Sequence, residues 1–423
     1  MRPESLPHIG INALLLANNQ QNYRSAGIHH YMDGLLPEIV KADDLRYSIF
    51  LSDGKPHVNG TARLVKTGAN KAKPLGRVLW EQFSQPRLVN QMQLDLLHSL
   101  AFVSPMLSRV PSIVTVYDLS FLHFPQRFKT VNRNYLRIFT RLSCKRAEKV
   151  VAISEYTRQD VIRQYGIAPE KVEVVYPGLD PTFLQHPIFN TDRNRAFSPK
   201  HNSATQDSAR VPNSSRVEYH NAIAEFRQRK GLPERYVLYL GTIEPRKNLS
   251  TLITAFARLR PEGIKLVCAG GRGWLYEDVF NTVNELRLQR DVIFPGYVPR
   301  EELPLLYSAA EAFVYPSSFE GFGLSVLEAL ACGVPTITTQ ASSLPEVVGN
   351  AALLVEPENS EALSDCLNSL LTSPAQQAEL RQAGPLQAEK FRWQTSGEQM
   401  VNIYRQVLRQ SQPHSEAVYA LAE

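Results

Sequence analysis

Short apolar runs alternate with amphipathic stretches along the whole chain, and no other feature of this sequence restricts its fold as much. Five runs in the first half predict buried strands: His8–Ala17, Tyr47–Leu51, Ile113–Tyr117, Val150–Ile153 and Val172–Tyr176. Six more in the second half predict the same: Tyr236–Leu240, Ile264–Ala269, Val292–Phe294, Ala312–Tyr315, Thr336–Thr338 and Ala352–Val355. Strands that alternate with helices form parallel sheets covered by helices on both faces. The predicted fold class is therefore α/β, with doubly wound parallel sheets.

A polar segment separates the two series of strands. Between about Asn190 and Asn221 the chain is rich in Asn, Ser, Arg and Pro, a composition that cannot offset the entropy of ordering. The domains expected are one over 1–185, a disordered linker over 186–222, a second domain over 223–390, a helix over 391–410 and a polar tail over 411–423. Because ligands bind outside the carboxyl ends of parallel strands, two such domains facing each other would hold the substrate in a cleft.

Composition narrows the range of functions. Hydrophobic residues make up 43% of the 423 residues and charged residues 21%, so the chain can bury proper cores. A net charge of +5 is too weak to indicate nucleic acid, but it suits an anionic substrate or surface. We find neither a signal-peptide core at the start nor an apolar stretch of the ~20 residues that span a membrane.

The four cysteines show no C-x-x-C spacing and no neighbouring His cluster. We expect reduced thiols in a cytoplasmic protein, without disulfides and without a bound metal. The sequence leaves the oligomeric state open.

The segment Pro316–Ala329 carries the most chemical information. It follows the predicted strand Ala312–Tyr315, and its residues Gly321 and Gly323 suit a tight turn. A helix is predicted from Leu324 to Ala331. The free N–H groups and the dipole at the start of that helix favour an anion.

Two glutamates flank this turn. Glu320 lies in the turn and Glu328 lies within the predicted helix, ~10 Å away at a rise of ~1.5 Å per residue. Carboxylates accept hydrogen bonds from hydroxyls, so one could hold a sugar and the other a ribose, with a diphosphate between them. The alternative is that Glu320 only caps the helix and Glu328 is solvated.

Two adjacent cations, Arg246 and Lys247, lie between the predicted strand Tyr236–Leu240 and a predicted helix over Leu249–Leu259. Arg246 can bind phosphate oxygens through a fork of N–H groups, and Lys247 supplies a point charge. Such cations would stabilise a diphosphate leaving group as a glycosidic bond breaks. A solvated turn is the alternative for this pair taken alone.

Weaker candidates for donor binding follow other strands. The backbone at Gly241 and Gly270 could approach a nucleotide closely, and Tyr297 and Val298 could flank its base. The glycines at 270–273 do not have G-x-G-x-x-G spacing, so they do not indicate a dinucleotide site. Simple loops are the alternative at each position.

Taken together, these strings resemble the retaining glycosyltransferases with the GT-B fold, specifically family 4. The likeness covers nearly the whole chain outside 190–221 and rests on three strings: E-G-F-G-L-x-x-x-E-A-L-A-C-G-V-P from Glu320, E-P-R-K-N from Glu244, and L-P-E-V-V-G from Leu344. It implies two Rossmann-like domains, an acceptor-binding one over 1–185 and a nucleotide-sugar donor-binding one over 223–390, and a C-terminal helix over 391–410 that crosses back to the first domain.

The resemblance also implies an activity. The enzyme would transfer a hexose, mannose or glucose, from a donor such as GDP-mannose or UDP-glucose to a saccharide or lipid-linked acceptor. It would retain the anomeric configuration and need no metal or cofactor. Glu320, Arg246 and Lys247 would act on the donor, and Glu328 would bind the ribose. The backbone from Gly321 through Phe322 and Gly323 to Leu324 would face the donor.

Candidates in the first domain depend on the same resemblance. Gly27, in the string A-G-I-H-H-Y, resembles the glycine of an acceptor or diphosphate loop. Asp118 follows Tyr117 where many relatives carry a His-Asp pair. His98, after the strand-like Leu94–Leu97, is a candidate catalytic group, and a hydrogen-bonded loop histidine is the alternative.

A basic stripe is predicted from Arg133, Arg137, Arg141, Lys145 and Lys149, which recur at every fourth residue. On a helix these cations could rest on anionic lipid, which would place the enzyme at the inner face of the membrane. A solvated cationic face is the alternative.

Two other functions stay open at this point. A sugar phosphorylase or a nucleotide-sugar epimerase could use the same fold, because fold alone does not fix function. A non-catalytic regulator that binds nucleotide sugars is a third class, although both glutamates and both cations are present.

Overall fold

The structure, a computed structural model, describes residues 6–16, 26–52, 54, 56–58, 62–68, 74–128, 130–184 and 213–411. The chain divides into two compact units, and each contains one parallel sheet. The first unit comprises Met1–Gly178 and Phe391–Glu423, and the second comprises Leu179–Lys390. The predicted α/β class with two parallel-sheet domains is confirmed.

The sheet of the first unit has seven strands in the order β3-β2-β1-β4-β5-β6-β7. Their bounds are β1 His8–Asn12, β2 Arg46–Leu51, β3 Arg63–Lys66, β4 Leu96–Ser99, β5 Ser112–Val116, β6 Lys149–Ala152 and β7 Val172–Val174. The central strands β1, β4 and β5 are buried along their whole length, as expected of a parallel sheet that is covered on both faces. The strand order reverses between β1 and β4, which is where open parallel sheets bind ligands.

The sheet of the second unit has six strands in the order β10-β9-β8-β11-β12-β13. Their bounds are β8 Tyr236–Leu240, β9 Lys265–Ala269, β10 Val292–Gly296, β11 Ala312–Tyr315, β12 Thr336–Thr339 and β13 Leu353–Val355. Here the order reverses between β8 and β11, the two strands that precede the cation pair and the glutamate turn.

Helices connect the strands in both units. In the first unit they are α1 Ala26–Ile39, α2 Pro74–Leu79, a π turn Trp80–Ser84, α3 Gln85–Gln91, α4 Ser120–His123, α5 Thr130–Arg146, α6 Glu155–Tyr165 and, after the last loop, α16 Trp393–Ser411. In the second unit they are α7 Pro181–Leu184, α8 Asn213–Lys230, α9 Leu249–Leu259, α10 Glu277–Glu285, α11 Leu303–Ser308, α12 Leu324–Ala331, α13 Leu344–Val348, α14 Ser360–Thr372 and α15 Pro374–Ala388. Short 3-10 turns occupy Pro125–Arg127, Pro169–Lys171, Pro245–Lys247 and Arg300–Glu302.

The predicted linker is partly wrong. Residues 213–222 belong to helix α8, whose later residues Ile223 and Phe226 are buried. Two apolar side chains three positions apart lie on one face of a helix, so their burial stabilises a segment that its polar composition suggested would be disordered. The rest of the predicted linker lies outside the described residues.

The C-terminal helix α16 packs against α1 in the first unit. Its apolar stripe of Met400, Val401, Ile403, Tyr404 and Val407 is buried. At its start, the indole of Trp393 meets the ring of Tyr31 edge-on, with centroids 5.7 Å apart. The indole lies so close to Gly34 and Gly178 that a Cβ at either glycine would clash with Trp393.

This packing predicts that Gly34→Ala destabilises the first unit. The added methyl group would force the Trp393 indole away, and overpacking of this kind costs about 1–3 kcal/mol. Urea unfolding gives the free energy directly. Gly27→Ala is the matched control in the same helix, because among the described residues no atom lies within 4 Å of a Cβ there. Alanine favours a helix, so the control should be as stable as the parent chain or more so. Equal stability of the two variants would contradict the packing described.

Candidate functional site

The candidate site is built by two loops at the carboxyl edge of the second sheet. One loop follows β8 and contains the 3-10 turn Pro245–Lys247, and the other follows β11 and leads into α12. β8 and β11 pair in parallel, so both loops leave the sheet at the same edge. The backbone oxygen of Arg246 accepts from the amide of Ser318 at 2.9 Å and from the hydroxyl of Ser317 at 3.2 Å. These bonds fix the two loops together.

The carboxylate of Glu320 is the centre of the site. Its Oε1 lies 2.6 Å from Lys247 Nζ, 2.6 Å from Ser317 Oγ and 3.1 Å from the hydroxyl of Tyr315. Its Oε2 lies 3.5 Å from Nη1 of Arg246. Burial would raise the pKa of Glu320, but the two cations and the hydrogen bonds outweigh it and lower the pKa to about 2. Glu320 is therefore a carboxylate at neutral pH, and it can only accept hydrogen bonds.

The side chains of Arg246 and Lys247 are paired within the protein, so the alternative of a solvated turn does not hold. Lys247 is buried, and its Nζ also lies 2.6 Å from the Tyr315 hydroxyl. Arg246 is half-buried and donates to the backbone oxygen of Phe319 at 2.9 Å and to the carboxylate of Glu244 at 3.1 Å. Buried charges need partners, and each cation has a carboxylate beside it.

The turn around Glu320 is held by a third loop. The Glu320 amide donates to Ser342 Oγ at 2.7 Å, and the Ser343 hydroxyl donates to the backbone oxygens of Glu320 and Phe322, each at 3.0 Å. These serines lie between β12 and α13. Sequence reasoning missed them, because a Ser-Ser pair in a loop gives no signal without knowledge of its neighbour.

Gly323 caps α12 with a φ of 106°, a conformation that favours glycine. The positive end of the helix dipole lies here, with Gly321 and Phe322 just before it and Leu324 as the first helical residue. The turn therefore has the form expected of an anion site.

Glu328 belongs to a different group of side chains. Its Oε2 accepts from the Tyr307 hydroxyl at 3.0 Å, and its Oε1 lies 3.8 Å from Nη2 of Arg300. Arg300 Nε in turn lies 2.9 Å from Asp180 Oδ2. Burial raises the pKa of Glu328 although Arg300 opposes the shift. Glu328 is thus buried rather than solvated, and it stands beside a cation that sequence reasoning missed.

The weaker donor candidates lie at the ends of neighbouring strands. Gly270 follows β9 with a φ of 131°, and a Cβ there would clash with the backbone oxygen of Gly241. Glycine is therefore required for the two loops to meet. After β10, Tyr297 is exposed and Val298 is buried. Their roles toward a donor stay predictions.

The candidates in the first unit differ among themselves. His98 lies in β4, fully buried, with its ring nitrogens 2.7 Å from the Tyr404 hydroxyl and 2.8 Å from Thr115 Oγ1. Burial lowers the pKa of His98 to about 3, so the ring is neutral. This environment favours the hydrogen-bonded alternative over catalysis, although the residue lies in a strand and not in a loop.

Two other first-unit candidates have local structural roles. Asp118 Oδ1 accepts from the amide of Ser120 at 2.8 Å, while the neighbouring Tyr117 hydroxyl donates to the backbone of Leu100. Gly27 lies inside helix α1 and not in a loop, so that part of its prediction is wrong. The residues 17–25 that precede α1 lie outside the described residues.

The prediction of a basic stripe on one helix is wrong for its last residue. Arg133, Arg137, Arg141 and Lys145 lie on α5, but Lys149 lies in strand β6, where its Nζ is 2.7 Å from Glu173. The period of four therefore ends with the helix. In the described part of the chain, no helix is both long enough and apolar enough to cross a bilayer.

Two family models match the chain. Residues 222–387 match the model described as Glycosyl transferases group 1, and residues 30–183 match Glycosyltransferase Family 4. This chain belongs to glycosyltransferase family 4. The enzyme is 26% identical over 411 residues to O-antigen chain mannosyltransferase B of Escherichia coli, an alignment that covers 93% of this chain and 99% of that protein. The predicted class, a hexosyltransferase, is confirmed.

This glycosyltransferase is also similar to a second mannosyltransferase and to a protein of known structure. It is 27% identical over 273 residues to the serotype-specific mannosyltransferase WbdA of Escherichia coli, covering 63% of this chain but only 30% of that longer protein. Its fold matches the crystal structure of Anabaena Alr3699/HepE in complex with UDP and glucose, with a TM-score of 0.67, 18% identity and coverage of 94% and 99%. That likeness confirms the GT-B fold.

The buried ion pair of this site predicts a large stability effect. Glu320→Gln would leave Lys247 buried without its carboxylate, and the loss of one partner of a buried pair costs about 3–5 kcal/mol. Glu311→Gln breaks the exposed pair with Arg235, whose atoms lie 2.9 Å apart, and should cost at most about 1 kcal/mol. Urea unfolding at pH 7 compares the two variants. Similar losses for both would contradict the burial of Glu320.

Proposed function

We propose that this glycosyltransferase moves a hexose from a nucleoside diphosphate sugar to a hydroxyl of a saccharide or lipid-linked acceptor, with retention of configuration and without a metal ion. Mannose from a guanosine diphosphate donor is the first candidate, and glucose from a uridine donor is its rival. One observation carries the proposal: Arg246 and Lys247 converge on Glu320 beside the N-terminus of α12.

The charges of the site suit a diphosphate. Arg246, Lys247 and the positive end of α12 lie at one edge of the sheet, where they would stabilise the negative charge that develops on a leaving diphosphate. Because these groups supply positive charge without an ion, we propose that transfer needs no metal. Glu320 is ionised and only accepts hydrogen bonds, so we assign to it the sugar hydroxyls.

The second carboxylate would bind the other polyol of the donor. Glu328 lies on the same helix as the anion site, about one and a half turns after Gly323, and Arg300 keeps a positive charge beside it. We assign the ribose hydroxyls to Glu328. Mannose stands first because O-antigen chain mannosyltransferase B, which aligns over 93% of the chain, and WbdA are both described as mannosyltransferases. Glucose stays the rival because the solved neighbour was captured with UDP and glucose.

The proposal predicts that Glu320→Ala and Arg246→Ala each reduce transfer by about 10²–10³-fold, as expected when a charge that stabilises the transition state is removed. The assay would use radiolabelled GDP-mannose and UDP-glucose with mannoside acceptors, in the presence of EDTA, and NMR would give the anomer formed. Arg235→Ala, at the exposed pair, is the control and should be fully active. Near-normal turnover in either site variant would count against the roles assigned to Glu320 and Arg246. Dependence on added metal would count against metal independence, and an inverted product would count against retention of configuration.

We further propose that the acceptor is reached from an anionic membrane surface. Helix α5 exposes cations together with apolar side chains, and further exposed apolar side chains lie on the segments beside it. The exposed apolar residues are Leu79, Phe83, Leu107, Val131, Ile138 and Leu142. The exposed cations of the helix are Arg137, Arg141, Lys145 and Arg146.

Hydrogen bonds hold these segments side by side. The Tyr135 hydroxyl of α5 donates to Glu81 in the π turn at 3.2 Å, and Gln82 of that turn accepts from the amide of Met106 at 2.9 Å. At the end of α5, Arg146 donates to the backbone oxygens of Met106 and Ser108. These bonds place the segments that carry the exposed apolar residues next to one another, and cations beside exposed apolar side chains suit anionic lipid.

The membrane proposal predicts salt-sensitive flotation with vesicles that contain phosphatidylglycerol. The double variant Arg137→Glu and Arg141→Glu should bind at least ~tenfold more weakly, since each cation near such a surface contributes about 1 kcal/mol. Arg287→Glu with Arg290→Glu, exposed residues of the second unit, is the matched control. If the parent chain stays unbound at low salt, or if both double variants bind like it, the proposal is wrong.

A further inference from the structure

A group of buried polar side chains in the first unit plays no part in the function proposed so far. The helical segment from α2 to α3 contains the π turn Trp80–Ser84. Turns of this kind disturb the regular spacing of side chains and are frequent at functional sites. This one directs Glu81 and Gln82 inward together with Gln85 at the start of α3, and all three are buried.

These side chains meet the end of the first strand. Asn12 is the last residue of β1, and its Nδ2 lies 3.3 Å from Glu81 Oε1 and 3.4 Å from Gln85 Oε1. The other oxygen of Glu81 accepts from the Tyr135 hydroxyl at 3.2 Å. Arg77, one turn earlier, lies 3.9 Å from Glu81. We call Asn12, Glu81, Gln82 and Gln85 the Glu81 cluster.

The Glu81 cluster lies at the place where open parallel sheets bind ligands. β1 is paired with β2 on one side and β4 on the other, so the cluster lies at the carboxyl end of the strand where the order of the sheet reverses. Ligands of open parallel sheets bind at this point. The cation pair and the glutamate turn occupy the equivalent place in the second unit.

Unpaired donors point into the same region. Among the described residues, Gln82 Nε2 and Gln85 Nε2 are buried and have no hydrogen-bond partner. The hydroxyl of Ser99, at the end of β4, is also buried and also has no hydrogen-bond partner among the described residues. A buried donor without a partner costs about 1–3 kcal/mol, and buried polar groups normally avoid that cost. Two amide donors beside a carboxylate match the hydroxyl groups of a saccharide, which both donate and accept.

We propose that the Glu81 cluster binds the acceptor saccharide, with Glu81 accepting a hydrogen bond from an acceptor hydroxyl and the amides of Gln82 and Gln85 donating to its oxygens. This inference rests on the proposed function, since it assigns the acceptor to residues of the same enzyme. Burial raises the pKa of Glu81 to about 7 despite the opposing charge of Arg77, so both the ionised and the neutral form are present near pH 7. Either form has an oxygen that can accept a hydrogen bond from a hydroxyl.

Two variants test the assignment. Glu81→Gln keeps the shape and changes the acceptor to an amide, while Gln85→Leu removes an unpaired donor. Because Gln85→Leu also removes the Oε1 that Asn12 Nδ2 contacts, a residue that served only the fold would lower the stability when replaced and leave the acceptor KM unchanged. We expect instead that both variants raise the KM for a mannotrioside acceptor at least ~tenfold, with a smaller effect on kcat. Thermal melts report folding, and Glu170→Gln, an exposed site in the same unit, is the control.

Separate measurements distinguish this inference from the proposed function. Calorimetry with GDP and UDP reports the donor site, and the Glu81 and Gln85 variants should bind the nucleotide like the parent chain. Titration with the mannotrioside and with the matching glucoside reports acceptor binding without any transfer. Unchanged acceptor KM and unchanged glycoside binding in both variants would overturn the inference while leaving the donor assignment intact. Failure of the parent chain to bind either glycoside would overturn it as well.

Discussion

The second unit depends on the buried ion pair between Lys247 and Glu320. The two residues are 73 positions apart and lie in loops that follow neighbouring strands. Burying either charge alone is strongly unfavourable, so each loop adopts its conformation only when the other is in place. The hydroxyls of Ser317 and Tyr315 complete the surroundings of the carboxylate. The groups that close the loops are also those that we propose meet a donor, so a bound donor would compete with the hydrogen bonds of this pair.

Much of the fold followed from the spacing of the apolar residues and from the residues that end helices and strands. The strands Tyr236–Leu240 and Ala312–Tyr315 and the helices Leu249–Leu259 and Leu324–Ala331 have the bounds that the sequence predicted. Strand β3, Arg63–Lys66, was not predicted, because it is an edge strand whose residues are largely exposed and give no apolar run.

The site residues that lie together in a short string were predictable from the sequence, and those that come from separate loops were not. Arg246, Lys247 and Glu320 lie in short strings with a chemical meaning of their own. Ser342 and Arg300 come from other loops, and nothing in their own neighbourhood indicates which carboxylate or turn they serve. Glu81 stayed hidden for a different reason: a glutamate in a helical stretch is expected at the surface, and a π turn departs from the period of 3.6 on which that expectation rests.

The first unit is assembled from two separate stretches of the chain, because α16 packs on α1 and Trp393 fills the space that Gly34 and Gly178 leave open. The second unit is one continuous stretch. During synthesis, the stretch from Leu179 to Lys390 can therefore fold as soon as it leaves the ribosome, whereas the first unit must wait for α16. Until then the surface of α1 that later receives α16 stays open to water, and a chain truncated before Trp393 would keep that surface uncovered permanently.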